Sequence, residues 1–154
     1  MSAYKSVENK NILLIGGGTG MGRSIAMALA ESGAKVAISG RRMEMLKSTA
    51  DKLENDQAIL CKQADVTNRQ SLKSLFEWFD KTVGNLDCLI HAAGINVALR
   101  SMQELSPEDW DKLIEINLTG SYNVLRLALD RMRPNKSGQI ILVNSVAGRR
   151  SVPL

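Results

Sequence analysis

At 154 residues, 44% of them hydrophobic and 23% charged, the chain can bury one good core and is too short for two domains. No apolar run approaches a membrane span, and the N-terminal MSAYKSVENK lacks the apolar centre of a signal peptide, so the sequence predicts a cytoplasmic protein with no membrane partner. The net charge of +4 is mild, adjacent arginines occur only at Arg41-Arg42 and Arg149-Arg150, and no basic stripe carries aromatics, which disfavours nucleic acid; a single histidine and two separated cysteines disfavour a metal site.

From Asn11 the chain alternates strand and helix patterns with short turns, which predicts an α/β fold with a parallel sheet and helices on both faces. Strand one is Ile12 to Ile15. It breaks into a turn rich in glycine and then opens a helix whose Ile25, Ala28 and Leu29 share a face and which stops at Gly33. Strand two is Lys35 to Ser39, followed by a helix with Leu46, Ala50 and Leu53 on one side. Strand three is Gln57 to Lys62. Thr67 and Gln70 then stand at capping-box spacing before a helix that buries Leu72, Leu75, Phe76 and Phe79. Strand four, Asp87 to His91, runs into a small-residue turn. Ser106, Pro107 and Asp109 start the longest helix, with apolar positions at Trp110, Leu113, Ile114, Leu118, Leu125 and Leu129, which Arg133-Pro134 ends. Strand five is Gln139 to Asn144, and Ser145 follows it. Cys61 and Cys88 both fall in strands, where reduced core thiols are expected.

The turn after strand one, LLIGGGTGMG, carries the first chemistry. Gly16, Gly20 and Gly22 have the spacing GxxxGxG, with Gly18, Thr19 and Met21 between them. Gly16 lets the chain leave the strand sharply, Gly20 lets backbone approach a pyrophosphate, and Gly22 lets the new helix pack closely. That helix points its unpaired N–H groups and positive dipole end at the anion. After strand two, where an acid would hold the adenosine ribose hydroxyls, the chain reads Ser39, Gly40, Arg41, Arg42. An acid would repel a 2′-phosphate, whereas Gly40 makes room and two guanidiniums can pair with it, which favours NADP over NAD.

Taken together, GGGTGMG, Asp65-Val66 after strand three, HAAG from His91 to Gly94, Asn117 in INLTGS and the Gly138 to Gly148 segment resemble the short-chain dehydrogenase/reductase family, in order and spacing, over essentially the whole chain from Asn11. The resemblance implies a Rossmann-like doubly wound sheet of order 3-2-1-4-5 that continues into further strands. It implies that Asp65 accepts a bond from the adenine amino group, that Val66 packs on the ring, and that Ala92, Ala93 and Gly94 shape the cofactor channel. Ser145 would hydrogen-bond a substrate carbonyl or hydroxyl, and Asn117 would hold a water in a proton relay. Two departures stand out: Ile15 replaces the family's threonine, and His91-Ala92 replace its asparagine pair, for which a small loss of local rigidity is expected.

The family's proton donor is a tyrosine assisted by a lysine four residues later. The only tyrosines here are Tyr4, followed at that distance by Glu8, and Tyr122, followed by Arg126. An unassisted phenol has a pKa of about 10. The chain is therefore expected to be the front part of a longer NADP-dependent oxidoreductase acting on a ketone or alcohol, C-terminally incomplete, inactive alone, and a homo-oligomer when complete. It is also expected to leave Ile140 to Val143 unpaired along one edge and a bare face on the long helix. The alternative from another class is a non-catalytic NADP-binding or partner-binding module.

Overall fold

The computed structural model describes residues 7–53 and 58–148. Short, near-continuous apolar runs bury both faces of a parallel sheet, and this chain's five-stranded sheet is built around three of them. β1 (Asn11–Ile15) lies at the centre, with β2 (Lys35–Gly40) and β3 (Leu60–Gln63) on one side and β4 (Cys88–His91) and β5 (Gln139–Leu142) on the other, in the order β3-β2-β1-β4-β5. All pairings are parallel, and Ile15 stands opposite both Ser39 and His91. The strand order reverses between β1 and β4. That crevice is where doubly wound sheets place their ligands.

On one face Ile12, Leu14, Val36, Ile38 and Ile90 pack with α1 (Gly20–Glu31) and α2 (Met43–Ala50). The other takes Leu13, Ile15, Ala37 and Leu89, against α3 (Arg69–Thr82) and α5 (Gly120–Asn135). Phe76 and Phe79 of α3 are fully buried, as their spacing predicts. Arg131 of α5 lies over the Phe76 ring at 4.8 Å and pairs with Asp80 at 2.8 Å, tying the two helices together.

Several expectations move when packing is taken into account. In α1 the residues against the sheet are Gly22, Ala26 and Ala30, while Ala28 is exposed and Ile25 and Leu29 are half-buried. Small residues win that face because they let the helix sit close to the strands. The α3 cap is Asn68, whose side chain accepts from the Ser71 N–H at 2.9 Å, rather than Thr67 with Gln70. Thr67 is held instead by Asp65, whose Oδ1 accepts from its N–H and hydroxyl at 3.0 and 2.9 Å. β3 extends only where it meets Ala37 to Gly40, so it starts at Leu60; the expected start at Gln57 lies outside the described residues. β5 ends at Leu142 because its partner β4 ends at His91.

The long helix is three pieces: α4 (Pro107–Leu113), a π-helical turn (Ile114–Thr119) and α5. Ser106 caps it as expected, accepting from the Asp109 N–H at 3.1 Å. Gly120 donates to the Glu115 carbonyl, five residues back. The buried stripe is Ile116, Val124, Ala128 and Met132, while Trp110 and Leu118 are exposed and Leu125 and Leu129 half-buried. Pro134 sits in the last turn without ending the helix, which stops at left-handed Lys136. Among the described residues β5 pairs only with β4, and its Ile141 and Leu142 are exposed. Both cysteines are free, Cys88 buried and Cys61 half-buried, and burial raises each thiol's pKa.

Phe76→Ala removes a fully buried ring and the seat of Arg131. It should cost about 3–5 kcal/mol in urea unfolding. A loss below about 1 kcal/mol would show that α3 and α5 close over the gap.

Candidate cofactor cleft

The carboxyl ends of β1 to β4 surround a cleft of about 310 Å³. Every residue that the sequence assigns to a dinucleotide lines it: Gly16, Gly18, Thr19, Gly20, Met21 and Gly22 from the turn, Gly40, Arg41 and Arg42 after β2, Asp65 and Val66 after β3, and Ala92, Ala93 and Gly94 after β4. Ile15, Met45, Leu46, Ala64, Ile95 and Ile116, all apolar, complete the wall.

Close packing dictates the glycines. Gly16 has φ 92°, and a Cβ there would stand 2.6 Å from the Ala93 nitrogen. A Cβ on Gly22 would collide with the Gly16 carbonyl oxygen. Gly20, with φ 54°, differs: a Cβ there meets nothing within 4 Å, so the space above it is open. The Gly16 and Gly17 N–H groups are already spent on the Ser39 carbonyl, at 2.7 and 3.2 Å. Thr19 precedes α1 without a side-chain capping bond, and the first turn holds no acid. The helix thus begins with unpaired donors at an open cleft, an arrangement that attracts an anion.

At the rim Arg41 and Arg42 are exposed, and the Arg41 carbonyl accepts from Gln63 Nε2 at 2.7 Å. Asp65 reaches the cleft with Oδ1 already engaged by Thr67. Two sequence-predicted residues stand outside the cleft lining. Asn117, in the π-helical turn, clamps the backbone of Ile95: its Oδ1 accepts from the N–H at 2.8 Å and its Nδ2 donates to the carbonyl at 3.0 Å. Each end of that amide keeps one further hydrogen-bonding site. Ser145 is exposed after β5, its Oγ accepting from the Ala147 N–H at 3.2 Å. Arg149 and Arg150, like Tyr4, lie outside the described residues.

His91 is buried at the end of β4, 2.9 Å from Ser121 Oγ. The Ser121 hydroxyl donates to the Asn117 carbonyl at 2.6 Å, so its proton is committed and His91 Nε2 must be the donor. Nδ1 is left without a partner. Burial therefore lowers the pKa of this imidazole and keeps it neutral.

Residues 10–154 match the short chain dehydrogenase family. The chain belongs to that family. An uncharacterized oxidoreductase of Listeria monocytogenes is 35% identical over 152 residues, covering 96% of this chain and 60% of its own length. Another from Staphylococcus aureus is 32% identical, covering 92% and 61%. Among solved structures, a levodione reductase superposes with a TM-score of 0.90 at 28% identity, over 94% of this chain and 57% of that one. A short-chain type dehydrogenase/reductase from Mycobacterium ulcerans gives 0.88 at 26%, over 94% and 54%. The chain thus spans about 60% of the length of the curated relatives it matches. The sheet order expected from the motifs is the one observed, and the family implies a nicotinamide dinucleotide.

His91 is the single histidine, so stability between pH 8 and 5.5 reports on it. The unfolded chain takes up a proton near its ordinary pKa of 6.5, while the folded imidazole resists until lower pH. Stability should be full above that value and fall as the pH drops below it. Urea midpoints followed across this range should show the decline, and His91→Asn should flatten it.

Proposed function

We propose that this chain is the cofactor-binding part of a cytoplasmic, NADP-dependent oxidoreductase that interconverts a small ketone and its alcohol. The observation that carries the cofactor choice is the end of β2. Gly40, Arg41 and Arg42 line the cleft where an acid would select NAD. The open start of α1 takes the pyrophosphate on the N–H groups of its first turn. Arg41 and Arg42 pair with the 2′-phosphate, Asp65 receives the adenine amino group on its free oxygen, and Val66 packs against the ring. Ala92, Ala93 and Gly94 leave a channel without bulky side chains.

The nicotinamide supplies hydride exchange with the substrate carbon when bound. The protein's part is to orient the substrate and handle its proton. Ser145 would hold the carbonyl oxygen, and Asn117 would steady a water next to Ile95. Reduction also needs a proton donor at the developing alkoxide. Tyr122 lies on the outer side of α5, exposed and outside the cleft lining, and no lysine stands four residues after it. The groups at this cleft thus hold cofactor without a lysine-assisted tyrosine beside it, and the 154 residues alone are proposed to bind cofactor without turnover.

A second reading, a non-catalytic NADP-binding or partner-binding module, draws on the exposed Trp110, Leu118 and Tyr122 and the open β5 edge. Turnover separates the two. Ketone-dependent oxidation of NADPH by the purified 154-residue chain would overturn the inactivity proposed here, and its absence in a protein extended through a tyrosine–lysine pair would favour the module. The cofactor choice has its own test. Replacing Arg41 and Arg42 by alanine should weaken NADPH about ten- to a hundredfold in fluorescence titration, the range expected for lost charge-assisted bonds, and leave NADH within about twofold. Equal losses for both would sink the assignment.

A further inference from the structure

Thr49 is a polar side chain on the face of α2 that packs under the glycine turn, and it is fully buried. Its Oγ1 lies 3.0 Å from the Met45 carbonyl, the usual target of a threonine in a helix, but also 3.1 Å from the Gly17 carbonyl and 3.3 Å from that of Gly18. The same oxygen accepts from Arg23 Nε at 3.1 Å, and Arg23 Nη2 donates to the Gly18 carbonyl at 2.7 Å. α2 comes close enough that a Cβ on Gly18 would stand 3.1 Å from that of Met45. Neither Thr49 nor Arg23 lines the cleft.

A trans peptide unit is planar, with its N–H pointing opposite to its C=O. Pinning the Gly17 carbonyl toward α2 therefore turns the Gly18 N–H the other way, and pinning the Gly18 carbonyl does the same for Thr19. Gly18 and Thr19 both face the cleft. We propose that Thr49 and Arg23 are positioning residues of the phosphate site, which hold two carbonyls down so that the Gly18 and Thr19 N–H groups are aimed at the anion. Without them a glycine-rich turn is free to rotate its peptide planes and present carbonyl oxygens, which repel phosphate. The pair also fixes α2, and with it Arg42 at its start, against the turn. This rests on the dinucleotide reading above.

The test compares NADPH dissociation constants, by fluorescence titration, for the unmodified protein and four variants, with urea midpoints measured alongside. Thr49→Val keeps the shape and loses the hydroxyl; it should weaken NADPH about tenfold. Thr49→Ser restores the hydroxyl and should bind within about twofold of the unmodified protein. Arg23→Met, half-buried and so tolerated where Thr49→Val fails to fold, should lose a similar factor. Leu29→Ala, on α1 away from the turn, should lower the urea midpoint and leave affinity unchanged. Unchanged binding by Thr49→Val and Arg23→Met overturns the proposal, as does a serine variant as weak as the valine one, or an affinity loss in Leu29→Ala that matches its stability loss. Failure of the unmodified protein to bind NADPH would instead bring down the cofactor reading itself, and the positioning role with it.

Discussion

A helix can touch the turn that precedes it only where no Cβ intervenes. Gly22 meets this condition at the first turn of α1, where its backbone lies against the Gly16 carbonyl with no room for a methyl group. That contact sets how near α1 comes to β1, and the small residues Ala26 and Ala30 carry the close approach along the helix. It also places the unpaired amides of the helix start at the point where the strand order reverses. The cleft is a consequence of this proximity, as is the small size of the residues that floor it.

The second organising feature is a single row across the sheet. Ser39, Ile15 and His91 stand side by side at the ends of β2, β1 and β4. Each then feeds the cleft: the Ser39 carbonyl collects two amides of the glycine turn, and His91 reaches through Ser121 to the Asn117 backbone. Asn117 in turn grips Ile95, one residue after Gly94. The cleft's walls on both sides of β1 are thus braced from beneath by backbone and buried polar groups, while the charged lining residues Arg41, Arg42 and Asp65 gather after β2 and β3.

Much of this was legible in the residues because glycines and strand ends obey local rules. The position of Gly16, Gly20 and Gly22 and the missing acid after β2 follow from what a turn and a phosphate demand, whatever the rest of the chain does. Helix phase was less legible. Ile25, Ala28 and Leu29 form as good a stripe on paper as Gly22, Ala26 and Ala30, and only contact distance to the sheet decides for the smaller set. Likewise Thr67 and Asn68 are both competent caps, and Asp65 decides between them by engaging Thr67. Thr49 carried a signal that periodicity alone overlooks, a hydroxyl three residues after Leu46 on the buried side of α2. The π-helical turn had none that periodicity could read, and the residue that closes it, Gly120, sits so near Val66 that a Cβ would fall 2.7 Å from a methyl group.

That turn also divides the long helix into two parts with separate rotational settings. One added residue advances a helix by roughly 100° about its axis. The wide turn takes up that residue, so deleting one residue between Ile114 and Thr119 would let the helix run regular while Val124 and Met132 keep their place against the sheet and Arg126 and Arg133 stay outward. A one-residue deletion there is therefore more tolerable than one in the first turn of α5, which would turn Val124 and Met132 away from the sheet. The face of α4 before it, where Trp110 projects outward, is free to vary without disturbing the packing of α5.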